Sequence, residues 1–184
     1  MSSHKREVDA YKNPTKLFQL ISESASPHDI IQHILTHPDE AKTWIVSYKN
    51  SYKWKYLPIH LVCMSSPSLE LLQTLVKVYR KSILIRDYFG NFPLFYLLRN
   101  GCQDIELLNA VMDDDYSILK KTDGNGLSIE EMIQVSDCSQ VEKEEMMNWF
   151  HHLQEKQRRE STRCDHNEVY TTQQLQDRID KLEC

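Results

Sequence analysis

The sequence predicts an all-α fold: a solenoid of antiparallel helix pairs joined by hairpin turns, followed by a C-terminal helical extension. Three observations predict it. Proline follows asparagine or serine at the start of two apolar segments near the N-terminus, which is typical of helix starts. The strings LPIHLVC and FPLFYLL recur at an offset of 35 residues. Each string is followed by a second apolar segment and then by a turn, and this order is typical of helical repeats.

The first helix pair is predicted at the N-terminus, in a unit that covers about residues 14–56. Asn13 followed by Pro14 predicts the start of one helix, and Ser26 followed by Pro27 predicts the start of the next. Pro38 should end the second helix, because proline cannot continue one. We expect this pair to act as the first unit and cap of residues 1–137.

The repeat itself predicts two further units, about residues 57–91 and 92–126, and a partial unit at 127–137. The strings DYFG at 87–90 and DGNG at 123–126 predict the closing turns. In the partial unit, Ser128 and Glu131 have the spacing of a capping box. Asp113, Asp114 and Asp115 are unfavourable at a helix C-terminus, so we expect this acidic run to end its helix.

Two segments of the repeat resemble ankyrin repeats. DYFGNFPL at 87–94 and LPIHL at 57–61 are similar to the ankyrin stretch Asp-x-x-Gly-x-Thr-Pro-Leu-His-x-Ala, and the resemblance covers about residues 55–133. The threonine position is Leu57 or Phe92 here, and only His60 keeps the histidine. The resemblance implies that the turns form fingers lining a concave binding face. It also implies that His60 bonds backbone across neighbouring units.

Residues 138–184 are predicted to form two C-terminal helices. Ser139 and Glu142 form a second capping box, and the helix they open has one apolar face. Residues 161–170 are predicted to be a linker. The last helix should begin near Thr171 and carry a narrow apolar seam of Leu175, Ile179 and Leu182. Because so short a helix is marginal in water, the seam should pack against the preceding helix or against another chain.

The segment YKNSYKWKY at residues 48–56 is the main candidate for a contact surface. It alternates aromatic residues with lysine, which is a strand pattern, and it is longer than the equivalent turn at 86–92. Such aromatics serve as interface hot spots, although they could instead pack on the first helix pair and leave the lysines solvated. The turn tip at 88–89 either extends this surface or folds back. The predicted partner-binding residues are Tyr48, Tyr52, Lys53, Trp54, Lys55, Tyr56, Tyr88, Phe89, Leu175, Ile179 and Leu182.

Composition and motifs exclude several function classes. The 184 residues are 40% hydrophobic and 27% charged with a net charge of −5, which favours a globular protein without general affinity for nucleic acid. No apolar run suggests a membrane span, and the polar N-terminus has no signal-like core. The five cysteines lack paired spacing, so we expect free thiols in the cytoplasm, with the nucleus as the alternative.

No set of residues predicts an enzyme, a metal site, a cofactor site or a small-molecule substrate. His33 and His37 are four residues apart but lack further metal ligands, and Cys164 and His166 lie in a polar segment. The sequence therefore predicts a non-enzymatic adaptor or scaffold that binds a protein through its turn tips and concave face. The alternative is a structural accessory subunit of a larger complex, docked through its C-terminal helices.

Overall fold

The computed structural model describes residues 6–48 and 53–180, with side chains up to Ser161. These residues group into two compact units, Met1–Met147 and Asn148–Cys184. Short 3₁₀ helices lie at Glu40–Lys42, Arg80–Leu84 and Tyr116–Lys120. The strands and α-helices of the described residues are β1 (Glu7–Asp9), α1 (Lys16–Ser22), α2 (Pro27–Thr36), β2 (Trp44–Ser47), β3 (Trp54–Tyr56), α3 (Pro58–Cys63), α4 (Leu69–Val78), α5 (Pro93–Arg99), α6 (Ile105–Met112), α7 (Ile129–Val135) and α8 (Gln140–Asp180).

The prediction of an all-α solenoid is wrong, because the chain contains a mixed three-stranded sheet. The strand order is β1-β2-β3, with β1 parallel and β3 antiparallel to β2. Central strand β2 is buried along its whole length, and Ile45 pairs with Val8 on one side and with Tyr56 on the other. Residues 44–46 and 83–85 are both apolar segments that come after a helix pair. Only the first set enters a strand, whereas most of the second lies in a 3₁₀ helix.

The outer edge of the sheet at β1 is capped by Asn13, which bonds through its side chain and through its backbone. The outer edge of β1 presents the backbone of Asp9, and both of its groups are bonded to Asn13. The Asp9 N–H donates to Asn13 Oδ1 over 3.0 Å, and the Asn13 N–H donates to the Asp9 carbonyl over 3.2 Å. This loop therefore blocks the addition of another strand at Asp9.

The helices of the first unit pack in two layers. Helices α1, α3, α5 and α7 each contact the next in one layer, and α2, α4 and α6 do so in the other. Each of the pairs α1–α2, α3–α4 and α5–α6 also packs internally. Fully buried leucines from both layers fill the core, among them Leu72, Leu75, Leu94, Leu98 and Leu108.

Most of the predicted helix starts are confirmed. Pro58 and Pro93 occupy the first turns of α3 and α5, and the Ser26 side chain caps α2, which ends before Pro38. The capping boxes at Ser128 and at Ser139 are both formed.

The predicted start of α1 at Asn13 and Pro14 is wrong. The helix begins at Lys16, and the Thr15 side chain accepts from the Phe18 N–H over 3.1 Å. Asn13 is engaged in closing the sheet edge at Asp9. Thr15, two positions later, therefore caps α1 instead of Asn13.

The C-terminal region forms one helix instead of two. Helix α8 runs without interruption from Gln140 to Asp180, so the predicted linker at 161–170 and the separate last helix are wrong. No glycine or proline occurs in this part of the sequence, and glutamate, glutamine and arginine favour helix throughout it. Because the backbone is continuously helical through Leu175 and Ile179, this segment cannot fold back onto the preceding part of α8.

Candidate functional site

Two turns of the repeat have the same hydrogen-bond pattern. The Asp87 carboxylate accepts from the N–H groups of Phe89 and Asn91, and the Asp123 carboxylate accepts from those of Asn125 and Leu127. In both turns the aspartate N–H also donates to the carbonyl four residues later. A glycine with positive φ precedes the end of each turn, Gly90 at +81° and Gly126 at +89°. The repeat is thus expressed in backbone geometry as well as in sequence.

Hydrogen bonds connect β3 to the first of these turns and the first turn to the second. The Tyr88 N–H donates to the Lys55 carbonyl over 3.1 Å, and the Gly124 N–H donates to Asn91 Oδ1 over 2.9 Å. The two turns therefore extend the row of strands at the edge of β3. We call residues 87–91 the first turn and residues 123–127 the second turn.

A buried polar network holds the first turn in place. The Tyr96 hydroxyl donates to Asp87 Oδ2 and accepts from the Asn91 amide over 3.2 Å. Asp87, Asn91 and Tyr96 are all buried, and burial together with the Asp87 carboxylate raises the pKa of the Tyr96 phenol. Because these polar groups are paired inside the protein, the turn is fixed before any partner arrives.

Five aromatic side chains lie in a continuous series that ends at the tip of the first turn. The ring centroids of Phe18 and Trp54 are 6.4 Å apart, and those of Trp54 and Tyr56 are 5.4 Å apart. Phe89 follows at 6.0 Å from Tyr56, and Tyr88 at 5.4 Å from Phe89. Phe18, Trp54 and Tyr56 are half-buried, whereas Tyr88 and Phe89 are 56% and 42% exposed. We call this series the aromatic row.

Lys55 lies apart from the aromatic row. Because β3 is a strand, Lys55 points to the face opposite to Trp54 and Tyr56. The Lys55 ammonium forms an ion pair with Glu7 and lies 4.7 Å from the centre of the Trp44 ring. Lys53 is exposed. The alternation in the sequence thus separates an aromatic face from a basic one.

The other predicted partner-binding residues are distributed as follows. Tyr48 is 60% exposed and lines a separate cavity of about 220 Å³ with Asp9, Tyr11 and Lys12. Tyr52 and Leu182 lie outside the described residues. Leu175 and Ile179 fall within the helical backbone of α8, and their side chains lie outside the described part. The structure therefore brings together Trp54, Tyr56, Tyr88 and Phe89 from the predicted set.

His60 lies behind the aromatic row and is fully buried. Its Nδ1 accepts from the Leu57 N–H over 3.2 Å, so the ring proton is on Nε2, which donates to the Ile85 carbonyl over 3.0 Å. Burial lowers the pKa of His60, against a smaller raising effect of the Asp87 charge. Both partners lie within the unit predicted at 57–91, so these two bonds are made inside one unit and not across neighbouring units as expected. They keep this imidazole neutral and occupied.

Several residues of the site were not singled out by the sequence analysis. They are Phe18, which begins the aromatic row, and the residues Arg86, Asn91, Tyr96 and Arg99 around the first turn. A signal existed for Asn91, because it occupies the last position of a turn whose aspartate recurs 36 residues later. The other side chains become neighbours only through packing.

The remaining polar clusters have structural partners. The rings of His33 and His37 stack with their centroids 4.4 Å apart, and His33 Nε2 lies 3.1 Å from Glu40 Oε2.

The predicted helix end at the acidic run is confirmed, since α6 stops at Met112 and Asp113 adopts a left-handed conformation. Across the side chains of residues 6–48 and 53–161, no group of histidine, cysteine, aspartate and glutamate is arranged to hold a metal ion. Among the same residues, no helix has the length and apolarity needed for a membrane crossing.

Comparison of the chain with protein-family models, curated proteins and solved structures found no match. The candidate site therefore rests on its own geometry: an aromatic row that ends in an exposed and internally braced turn.

Proposed function

We propose that this chain is a non-enzymatic module that binds another protein through the aromatic row. The observation that carries the proposal is the exposure of two adjacent aromatic side chains, Tyr88 and Phe89, at the tip of the first turn. Adjacent exposed aromatics that continue a half-buried aromatic series are typical of interface hot spots. A cytoplasmic or nuclear location fits free thiols and remains part of the proposal.

The bracing of the first turn supports this proposal energetically. A flexible loop loses conformational entropy when it binds, and each immobilised side chain adds to that cost. Here the backbone of the tip is fixed by the Asp87 carboxylate and by the bond from Tyr88 to Lys55. Tyrosine and phenylalanine also have few rotatable bonds. The tip can therefore bury aromatic surface with little further loss of conformational entropy.

A relationship to ankyrin repeats is a further part of the proposal. It is supported by the repeated turns at Asp87 and Asp123 and by proline in the first turn of α3 and α5. These features concern the helix pairs and turns of residues 57–137. On this view, the segment before residue 57 is a unit whose finger has become part of a sheet.

The second candidate function is that of an accessory subunit docked through α8. The observation that favours it is the unbroken helix to Asp180, because a continuous helix prevents the segment of Leu175 and Ile179 from packing on the preceding part of α8. An apolar seam on a continuous helix would then be available to another chain. The two functions differ in which surface captures the partner.

We expect the double substitution Tyr88→Ser and Phe89→Ser to abolish capture of the partner from native cell lysate. Loss of two aromatic anchors costs about 2 kcal/mol or more, which is roughly a thirtyfold loss of affinity. The measurement is quantitative mass spectrometry of proteins retained by the immobilised full-length chain.

The matched control is Leu35→Ser, which changes a side chain on α2 that is 57% exposed and outside the aromatic row. It should leave capture unchanged, and thermal unfolding should show both variants to be folded. If Leu175→Lys with Ile179→Lys abolishes capture while the tip variant retains it, the accessory-subunit function is correct and the proposed one is wrong.

A further inference from the structure

We propose that the segment bound by the aromatic row is an acidic peptide whose apolar anchors are flanked by aspartate or glutamate. The inference rests on the proposed function and adds the chemical class of the partner. It follows from two arginines beside the first turn, from the way their side chains are held, and from the direction in which the neighbouring carboxylates point.

Arg86 is an exposed guanidinium in the same loop as Tyr88 and Phe89. It lies 4.3 Å from the centre of the Phe92 ring and donates to the Gly90 carbonyl. Among the residues that the structure describes, no carboxylate forms an ion pair with it. Stacking on a ring orients the guanidinium and leaves its remaining N–H groups available for a carboxylate in a planar, two-bond arrangement.

Arg99 is a second arginine close to the aromatic row. Its guanidinium lies 5.8 Å from the centre of the Tyr96 ring and bonds Asp123 over 2.9 Å, while its side chain stays 44% exposed. Burial raises the pKa of Tyr56, and the Asp87 charge raises it further, against a smaller lowering effect of the Arg99 charge. The middle of the aromatic row therefore lies near one charge of each sign.

The carboxylates of this region are directed inwards or are paired. Asp87 accepts from Tyr96 and from backbone N–H groups, and the Asp123 side chain is fully buried against its own turn and Arg99. Glu7 pairs with Lys55 on the opposite face of β3. Of these charged groups, Arg86 is the one that no described carboxylate pairs with, so the tip of the row presents a cation to solvent, although the chain as a whole carries a net charge of −5. A carboxylate-bearing partner complements this local charge, and a basic one does not.

The test is selection of a random dodecapeptide display library on the folded full-length chain, followed by affinity measurement on the enriched peptides. We expect enriched peptides to combine aromatic or aliphatic residues with an excess of aspartate and glutamate, and to bind less well as ionic strength rises. Arg86→Gln should weaken them roughly tenfold, and Arg86→Lys should restore part of the affinity. The matched control Lys53→Gln removes an exposed cation that is not stacked on the first turn and should change affinity by less than about twofold.

The outcomes separate this inference from the proposed function. Enriched peptides that depend on Phe89 but are neutral or basic would overturn the inference alone. So would acidic peptides whose affinity is unchanged by Arg86→Gln, provided that this variant has wild-type thermal stability. A library in which no peptide depends on Tyr88 or Phe89 would overturn both. Oligothymidylate binding that requires Trp54 and Phe89, without peptide enrichment, would show the ligand to be single-stranded nucleic acid instead.

Discussion

Replacement of His60 by alanine is expected to lower the free energy of unfolding by about 3 kcal/mol or more. The imidazole is fully buried and serves both as acceptor for Leu57 and as donor to Ile85. Alanine leaves those two backbone groups without partners and creates a cavity between α3 and the segment before the first turn. Urea denaturation of the wild type and the variant measures the difference.

The control for this prediction is His60→Gln, whose side-chain amide can still donate near the position of Nε2. It should recover part of the loss, because the Ile85 carbonyl stays satisfied. Equal destabilisation by both substitutions would assign the effect to packing and exclude the hydrogen bond as its cause.

The same histidine should make stability depend on pH. Burial lowers the pKa of His60 below its ordinary value of 6.5, so in the interval between the folded and unfolded values the unfolded chain binds more protons. The stabilisation is complete above pH 6.5 and is lost as pH falls towards the lowered pKa of the folded state. His60→Gln should flatten this dependence, and an unchanged slope in that variant would contradict the assignment.

Substitution of Gly124 by alanine is the second change with a large expected effect. A Cβ at this position would lie 1.8 Å from the Phe89 carbonyl oxygen and 2.9 Å from its carbon. Both are backbone atoms of the first turn, so the two turns must move apart and the bond from Gly124 to Asn91 must lengthen or break. We expect a loss of about 2 kcal/mol or more in the free energy of unfolding, measured by chemical denaturation.

Gly126→Ala is the matched control within the same turn. Gly126 has a φ of +89°, but a Cβ there would meet no atom within 4 Å. Its cost should be confined to the unfavourable backbone conformation, about 1 kcal/mol. If Gly126→Ala costs as much as Gly124→Ala, the close approach of the two turns is not the cause of the loss.

The helices were predictable from sequence because their signals are local. Pro58, Pro93 and the Ser128–Glu131 box act within one turn of helix, and each begins a helix in the structure. The sheet was missed because β1 is a three-residue polar segment whose partner in β2 lies 37 residues away, as in the pairing of Val8 with Ile45. A strand of three residues is too short to show an alternation of apolar and polar residues. The strand pattern at Trp54 was noticed, but one strand without partners does not define a sheet.

The candidate site was predictable to a similar extent. Aromatic residues that alternate with lysine or stand in a turn can be recognised in the sequence, which identified Trp54, Tyr56, Tyr88 and Phe89. The role of Phe18 could not be recognised, because an aromatic residue on an amphipathic helix usually belongs to the core. Stacking of Arg86 on Phe92 and pairing of Arg99 with Asp123 arise from the relative rotation of loop and helix, which a linear pattern does not encode.

The bond between the two turns also bears on how many units such a chain can add. Asn91 ends the first turn and accepts the Gly124 N–H of the second with its side-chain oxygen. The equivalent position of the second turn is Leu127, whose backbone carbonyl closes the turn in the same way but whose side chain has no oxygen. A third turn could not be bonded at this position by the same side-chain contact. The side-chain bonds from turn to turn therefore end at Leu127, and the segment that follows forms helix α7.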